Sequence, residues 1–415
     1  MSEIQTLRLR CGVPLIVEKL DGMRSAALQW MIPGGSAEDP ANRLGRAAMW
    51  SELLMRGAGK LGSREQADAF DRLGCGRSAD VGGYFMRVAA TMLGQRLPDA
   101  LPLLASMVRE PLMAEDAIGP SRDLAMQAIE SLKDDPQERA SLAARQRHYP
   151  SPINRSGMGT LEGLEALSRQ ELAEQWGATA GPWRSIFAAA GDVHAEHLRD
   201  QLDALFDGWK GGSAEPRPSG TPPRGYDHEV DQSNQVQIVL LHDAPTEVSA
   251  DSLLEKIVVS VLSGGMAGRL FSEVREKRAL CYSVNAGYRG ERDTGAVSAY
   301  VGTTPERAQE SLDVLVAELR RINTPAGHVT DAEFRRAVVG MKSRLVFSGE
   351  STAARAGALA TDWHRLGRAR SLVELAAEID RVTLDQVNAY LSRRTLGRLT
   401  IQTVGPTVLV PPAES

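Results

Sequence analysis

The chain has 415 residues, 42% hydrophobic and 24% charged, a balance that fits a globular protein with enough apolar material for two cores. Its 48 Lys and Arg against 53 Asp and Glu leave a net charge of −5, which argues against a dedicated nucleic-acid binder. No apolar stretch reaches the ~18 residues of a membrane span. The opening Met-Ser-Glu-Ile-Gln-Thr-Leu also lacks the basic flank and apolar run of a signal peptide, so a cytoplasmic location is expected, or a periplasmic one if a leader has been removed.

Thr6 to Leu20 reads as a hairpin bent at Gly12, followed by an apolar strand from Ala26 to Ile32 that Pro33-Gly34-Gly35-Ser36 breaks. A helix is expected over Arg43 to Met55, and Ser63-Arg64-Glu65-Gln66 has the form of a capping box for another. Val81 to Met92 reads as strand. Helical segments follow to Gln146, with a fresh start at Pro136, then a strand over Trp183 to Ala190 and a helix over Ala195 to Leu205. Gly211 to Pro223 holds four prolines and three glycines and no large aliphatic residue, so it reads as a stiffened linker and hinge.

Beyond it the order repeats. Strands are expected at Val236 to Leu241, Tyr282 to Tyr288, Val297 to Val301 and Arg398 to Val404. Helices are expected at Leu253 to Leu262, Gly268 to Lys277, Glu306 to Arg321, Asp331 to Phe347, Ala354 to Leu366 and Leu384 to Leu391. The expected fold is α+β: two homologous-looking domains, each a mostly antiparallel sheet with helices packed on one face, at 1–210 and 226–415 with a linker at 211–225. Cys11, Cys75 and Cys281 are odd in number and lack metal-type spacing, so they read as small hydrophobes.

Several stretches together resemble the pitrilysin/insulinase metallopeptidases, in their form with two domains per chain. They are Leu9 to Glu18, Gly34-Gly35-Ser36-Ala37-Glu38, Lys133-Asp134-Asp135-Pro136, Gly191-Asp192-Val193, and Gly264-Gly265-Met266-Ala267-Gly268-Arg269-Leu270-Phe271-Ser272-Glu273-Val274-Arg275-Glu276-Lys277. That family places its chemistry on an inverted motif, His-x-x-Glu-His. Imidazoles at i and i+4 share one helix face and grip a zinc ion, while the glutamate serves as general base.

In the matching window, Gly45 to Gly57, Ala48 and Glu52 stand where the histidines belong and Ser51 where the base belongs. Ala128 stands at the third ligand and Ser121 at a supporting acidic position. The resemblance therefore implies degenerate metal positions and no cofactor in this chain. The chain has seven histidines, none of them in that helix. His194-Ala195-Glu196-His197 superficially resembles a zinc helix, but its i, i+3 spacing is wrong and an exposed helix start is expected there.

Another family feature is kept. An arginine and a tyrosine seven residues apart match Arg275 and Tyr282. By themselves they read as a surface cation and a half-buried strand residue. With the resemblance, Arg275 is expected to bind substrate, and Tyr282 to donate to the oxyanion that forms during amide hydrolysis. Gly268 replaces a frequent family serine, and Ser78 replaces the asparagine of the substrate-binding edge strand. The resemblance implies a non-catalytic subunit that closes a chamber against a homologous, zinc-bearing partner and acts on peptides or unfolded chains, with no nucleic-acid or membrane partner. The alternative is a non-enzymatic binding or assembly protein that keeps only the shell.

Overall fold

The computed structural model describes residues 3–413. In chain order they form strands β1 (Ile4–Arg8), β2 (Pro14–Lys19) and β3 (Ser25–Pro33), helix α1 (Arg46–Leu54), the short strands β4 (Gly57–Ala58) and β5 (Leu61–Gly62), and α2 (Ser63–Arg72). Next come β6 (Gly76–Val81), β7 (Phe85–Leu93), α3 (Leu97–Arg109), α4 (Glu115–Glu130), α5 (Pro136–His148), α6 (Leu161–Glu165), α7 (Arg169–Thr179), β8 (Ile186–Gly191) and α8 (Ala195–Leu205). The rest comprises β9 (Gly225–Val230), β10 (Val236–Asp243), α9 (Ser252–Ser263), β11 (Cys281–Gly290), β12 (Gly295–Thr303), α10 (Ala308–Arg321), α11 (Asp331–Gly349), α12 (Thr352–Leu366), α13 (Leu372–Asp380), α14 (Leu384–Leu391) and β13 (Thr400–Gly405).

Local chemistry explains many of these boundaries. Gly12, at φ +91°, turns the chain between β1 and β2, a conformation that favours glycine. Pro136 opens α5, and the Asp135 carboxylate accepts from the Glu138 N–H to cap it. The segment expected as one strand over Val81 to Met92 is instead a hairpin, because Gly82 and Gly83 turn the chain between β6 and β7. The capping box near Ser63 starts one residue earlier than expected. Gly62 is the N-cap and donates to Glu65, while Gln66 is buried and bonds the backbone of Gly57 and Leu54.

The first compact unit comprises residues up to 131, 151–220 and 348–371. Its sheet has the order β1-β2-β8-β3-β7-β6, with β2–β8 parallel and the other pairs antiparallel. One sheet face, carrying Leu15, Val17, Leu28, Trp30 and Ile32, builds a large core with residues of α1, α3, α4, α7 and α8.

The second unit comprises residues 132–150, 221–347 and those from 372 onward. Its sheet order is β11-β12-β10-β13-β9, with β13–β9 parallel and the rest antiparallel. From the opposite edge this sheet matches five strands of the first: β9-β13-β10-β12-β11 against β2-β8-β3-β7-β6. Both place the closing strand between the opening two, parallel to the first and antiparallel to the second. Two α+β domains of repeated design follow from that correspondence.

The other face of each sheet is covered by a helix from the opposite half of the sequence. In the first unit, Ile16, Ala27, Met31, Ala188 and Ala190 pack against Ala356, Leu359 and Ala360 of α12. In the second, Val239, Leu241 and Val404 pack against Ala140 and Ala144 of α5. Polar bonds fix both helices. Arg355 of α12 is 2% exposed and donates to the fully buried Glu18 of β2 at 2.7 Å. Arg139 of α5 is paired with Glu229 and Asp231, and Arg147 donates to the Gly225 and Tyr226 carbonyls. The linker stretch is partly tied down. Ser213 donates to Glu38, and Arg184 donates to the Ser213 and Ala214 carbonyls.

Candidate functional site

The first region is the α1–α4 pair of the first unit. Gly45, at φ +109°, precedes α1, and Asp39 caps its start by accepting from the N–H groups of Gly45 (2.8 Å) and Ala47 (3.0 Å). Burial pushes the Asp39 carboxyl up to about 6, although those bonds and Arg46 pull the other way. Ala47, Met49, Trp50, Leu53 and Leu54 face the core, where the Trp50 indole donates to the Leu172 carbonyl and meets Trp176 edge-on.

The remaining face of α1 carries Ala48, Ser51 and Glu52, each half-buried. The Ser51 hydroxyl donates back to the Ala48 carbonyl, and Glu52 lies 3.7 Å from Arg56. On the neighbouring α4, Ala128 is exposed, and the fully buried Ser121 hydroxyl has no protein partner. These residues do not suit a zinc ion. Alanine methyls offer no lone pair, and the one carboxylate is held by an arginine. Among the described residues no group of three or more His, Cys, Asp or Glu could hold a metal. His194 and His197 sit at the exposed start of α8 with ring centres 5.7 Å apart and gain no third donor among the described residues.

Near this helix pair lies β6, at one edge of the first sheet. Among the described residues it pairs with β7 alone, which leaves the other side of its backbone without a strand partner there. Ser78 sits on it and donates to Asp80 at 2.8 Å.

The second region is built by the second unit around Arg275 and Tyr282. The helix expected over Gly268 to Lys277 carries a π-helical segment, Phe271–Glu276, in which the Lys277 N–H reaches back to the Ser272 carbonyl. Arg269 at its start is a structural anchor, held on both oxygens of Glu333 and on the Gly327 and His328 carbonyls. Glu273 binds both Lys277 and Arg278, and those bonds hold its carboxyl below the usual range.

Arg275 differs from its basic neighbours. Its guanidinium has no hydrogen-bond or ion-pair partner among the described residues and lies over two rings instead, 4.8 Å from the centre of Phe271 and 5.2 Å from that of Tyr282. Tyr282 sits where the β11–β12 register shifts between Cys281 and Ser283, so it is the extra residue of a bulge on an edge strand. Such a bulge re-aims a side chain. Tyr282 is 84% exposed rather than half-buried. A guanidinium with all its donors free therefore sits beside an exposed phenol. Neither the π-helical segment nor the bulge leaves a residue signature in the sequence.

Two family models match the chain: the insulinase model of peptidase family M16 over residues 15–157, and the model described as the peptidase M16 inactive domain over residues 166–341. The chain belongs to peptidase family M16. Its relatives include a protein named an uncharacterized zinc protease from Streptomyces coelicolor, 27% identical over 98% of this chain and 90% of that protein. Another, from Bacillus subtilis, is 24% identical over 91% of this chain and 92% of the relative.

Among solved structures, an M16 inactive-domain protein from Pseudomonas fluorescens superposes with TM-score 0.85 at 21% identity, covering 99% of this chain and all of that one. A chain of complex III from Candida albicans gives 0.82 at 16% identity, with 97% and 96% covered. At such identities these likenesses speak to the fold.

Proposed function

We propose that this M16 chain is the non-catalytic subunit of a two-subunit peptidase, supplying substrate-binding and oxyanion-stabilising groups to a homologous partner that carries the zinc. The observation that carries this reading is the unpaired Arg275 guanidinium stacked on the exposed Tyr282. A cation left without a counter-ion next to a phenol donor suits a carbonyl or carboxylate that arrives with a ligand. In amide hydrolysis, Arg275 would hold a substrate carbonyl, and the Tyr282 hydroxyl would donate to the oxygen on which negative charge develops. Substrates would be peptides or unfolded chains, which the open edge of β6 suits by strand addition.

The Ala48, Ser51, Glu52 and Ala128 set supports assigning the metal to another chain. The same degenerate set also supports the second reading, a binding or assembly protein that keeps only the family shell. No helix among the described residues is long and apolar enough to cross a membrane, and neither reading calls for one.

The test is to tag the chain in its source cells, recover what co-purifies, and measure zinc and peptide hydrolysis on the chain alone and on the complex. The expected result is no stoichiometric zinc and no hydrolysis from the chain alone, with both appearing in a complex with a homologous subunit. One tightly held zinc per isolated chain would overturn the proposal. A stable complex whose partner is equally active without this chain would favour the assembly reading.

A further inference from the structure

In the repeated design, β6 holds in the first sheet the place that β11 holds in the second. Beside each of these edge strands a phenylalanine from the preceding helical segment lies under a guanidinium. At β11 the pair is Phe271 and Arg275. At β6 it is Phe70, fully buried in α2, and Arg77 of the strand itself, with the guanidinium 4.1 Å from the ring centre.

The Arg77 side chain is half-buried. Its guanidinium has no hydrogen-bond or ion-pair partner among the described residues, and its Nε–H is buried without an acceptor. Burial draws its pKa below the ordinary arginine value; Asp71, in the last turn of α2, works the other way without making an ion pair. A charged donor buried without an acceptor is costly, and the ring beneath it engages only its face, so its hydrogen-bonding edge is left for an acceptor.

The strand's alternation sets where that acceptor would come from. Ala79 and Val81 pack against the first core, so Arg77 lies on the same, helix-covered face of β6, while Ser78 and the exposed Asp80 lie on the other. A chain added along the free side of β6 would bring every second side chain onto the face of Arg77. We propose that Arg77 is a specificity-determining residue, and that the side chain facing it from such a chain is Asp or Glu. The inference rests on the reading of β6 as the strand that takes up substrate, and adds a charge requirement to it. A carboxylate offers only acceptors, matches the planar fork of the guanidinium and supplies the missing counter-ion as well as the missing acceptor. On the opposite face Asp80 disfavours an acid, so the preference should alternate along the bound chain.

The probes are fluorescein-labelled decapeptides of Ala, Ser and Thr in which one Glu is moved through every position, with Gln in its place as the control. Anisotropy reads their binding to the isolated full-length chain, and chromatography reads their hydrolysis by the reconstituted complex. At one position Glu should bind at least about fivefold more tightly than Gln, with no such gain at the positions on either side, and the complex should show the same preference in KM. Arg77→Met should bring the Glu-to-Gln ratio to within about twofold of one. A purely structural role would weaken both peptides alike and leave their ratio as in wild type. An unchanged ratio in folded Arg77→Met, no position that prefers Glu, or equal gains at adjacent positions would overturn the proposal.

Should Arg77→Met fail to fold, Arg77→Gln takes its place, and failure of both would make Arg77 part of the scaffold and overturn the proposal. A Glu preference that Arg77→Met abolishes, in a complex without activity, would uphold Arg77 and overturn the peptidase reading. An active complex that needs Tyr282 but binds Glu and Gln peptides equally would do the reverse.

Discussion

The two units share a strand order yet differ in what their surfaces offer. On the first, α1 turns Ala48, Ser51 and Glu52 outward, and each is inert or already engaged: a methyl, a hydroxyl bonded to its own helix, a carboxylate beside Arg56. On the second, Arg275 is held by ring faces alone, and a bulge turns Tyr282 toward solvent. On α1 the outward polar groups are engaged by the helix itself and by Arg56 just beyond it. The second surface has left donors free at the cost of leaving a cation and a large aromatic ring unpaired. A repeated fold therefore sets where chemistry can sit, while the hydrogen-bond partners of a few residues decide whether it is available there.

The comparison can be broken most severely through its scaffold. Arg355→Ala should destabilise the first unit by about 3–5 kcal/mol, because it takes the Arg355 guanidinium away from the fully buried Glu18 carboxylate. Replacing both partners with apolar residues, Glu18→Leu with Arg355→Met, should recover most of that loss. Urea melts of the two variants and wild type check this. Equal loss in both would mean that α12 packing and not charge pairing is at stake.

The surface chemistry comes next. In a reconstituted complex, Tyr282→Phe should lower kcat by roughly 10²–10³ with little change in KM, the cost of one transition-state donor. Arg275→Ala should raise KM as well. A kcat within about twofold of wild type for Tyr282→Phe, with the complex intact by size exclusion, would leave the second surface as inert as the first.

Acid should separate the units by opposite signs. Burial and neighbouring arginines push His148 and His242, both in the second unit, down to about 4, so both are neutral when folded. Their contribution to stability is present above the unfolded value near 6.5 and is lost as pH falls through about 4. Asp39 in the first unit is raised to about 6, so its contribution is complete below the unfolded value near 3.8 and is lost as pH rises through about 6. Hydrogen exchange at pH 4.5 against pH 7 should show the second unit loosening before the first. The opposite order would show that other groups dominate.

The smallest effect expected is that of Phe271→Leu, which keeps an apolar side chain beneath Arg275 but removes one ring. An exposed cation–π contact contributes about 0.5–1 kcal/mol, so KM should rise roughly two- to fivefold with kcat unchanged. A fall in kcat instead would place Phe271 in the support of Tyr282.

The local elements were legible because their signals are local. Gly12 marks the first turn, Pro136 a helix start, Gly211 to Pro223 a stretch that cannot build a core, and short apolar runs the strands. The family and the Arg275–Tyr282 spacing were legible as residue patterns. What the sequence hid is non-local. Ala356, Leu359 and Ala360 form an apolar stripe like that of any helix, and nothing in it says which sheet it will cover. Glu18 in a strand reads as solvent-facing until Arg355, 337 positions away, closes over it. The bulge at Tyr282 is likewise invisible, since one extra residue changes where a side chain points without changing the composition.

The exchange of α5 and α12 has a consequence for how the chain is made. The first sheet is complete once β8 has emerged from the ribosome, but its second face has no cover until α12 follows 175 residues later, from Gly191 to Leu366. At cellular rates of synthesis that gap lasts roughly ten to thirty-five seconds. During it Ile16, Ala27, Met31 and Ala188 face water or a chaperone. Nascent chains stalled before residue 350 should therefore bind an apolar-sensing dye or a holdase, and chains stalled well beyond residue 371 should not. Equal binding at both lengths would show that the bare face is protected in some other way. If the binding does differ, the newborn protein depends on protection from aggregation for most of the synthesis of its second half.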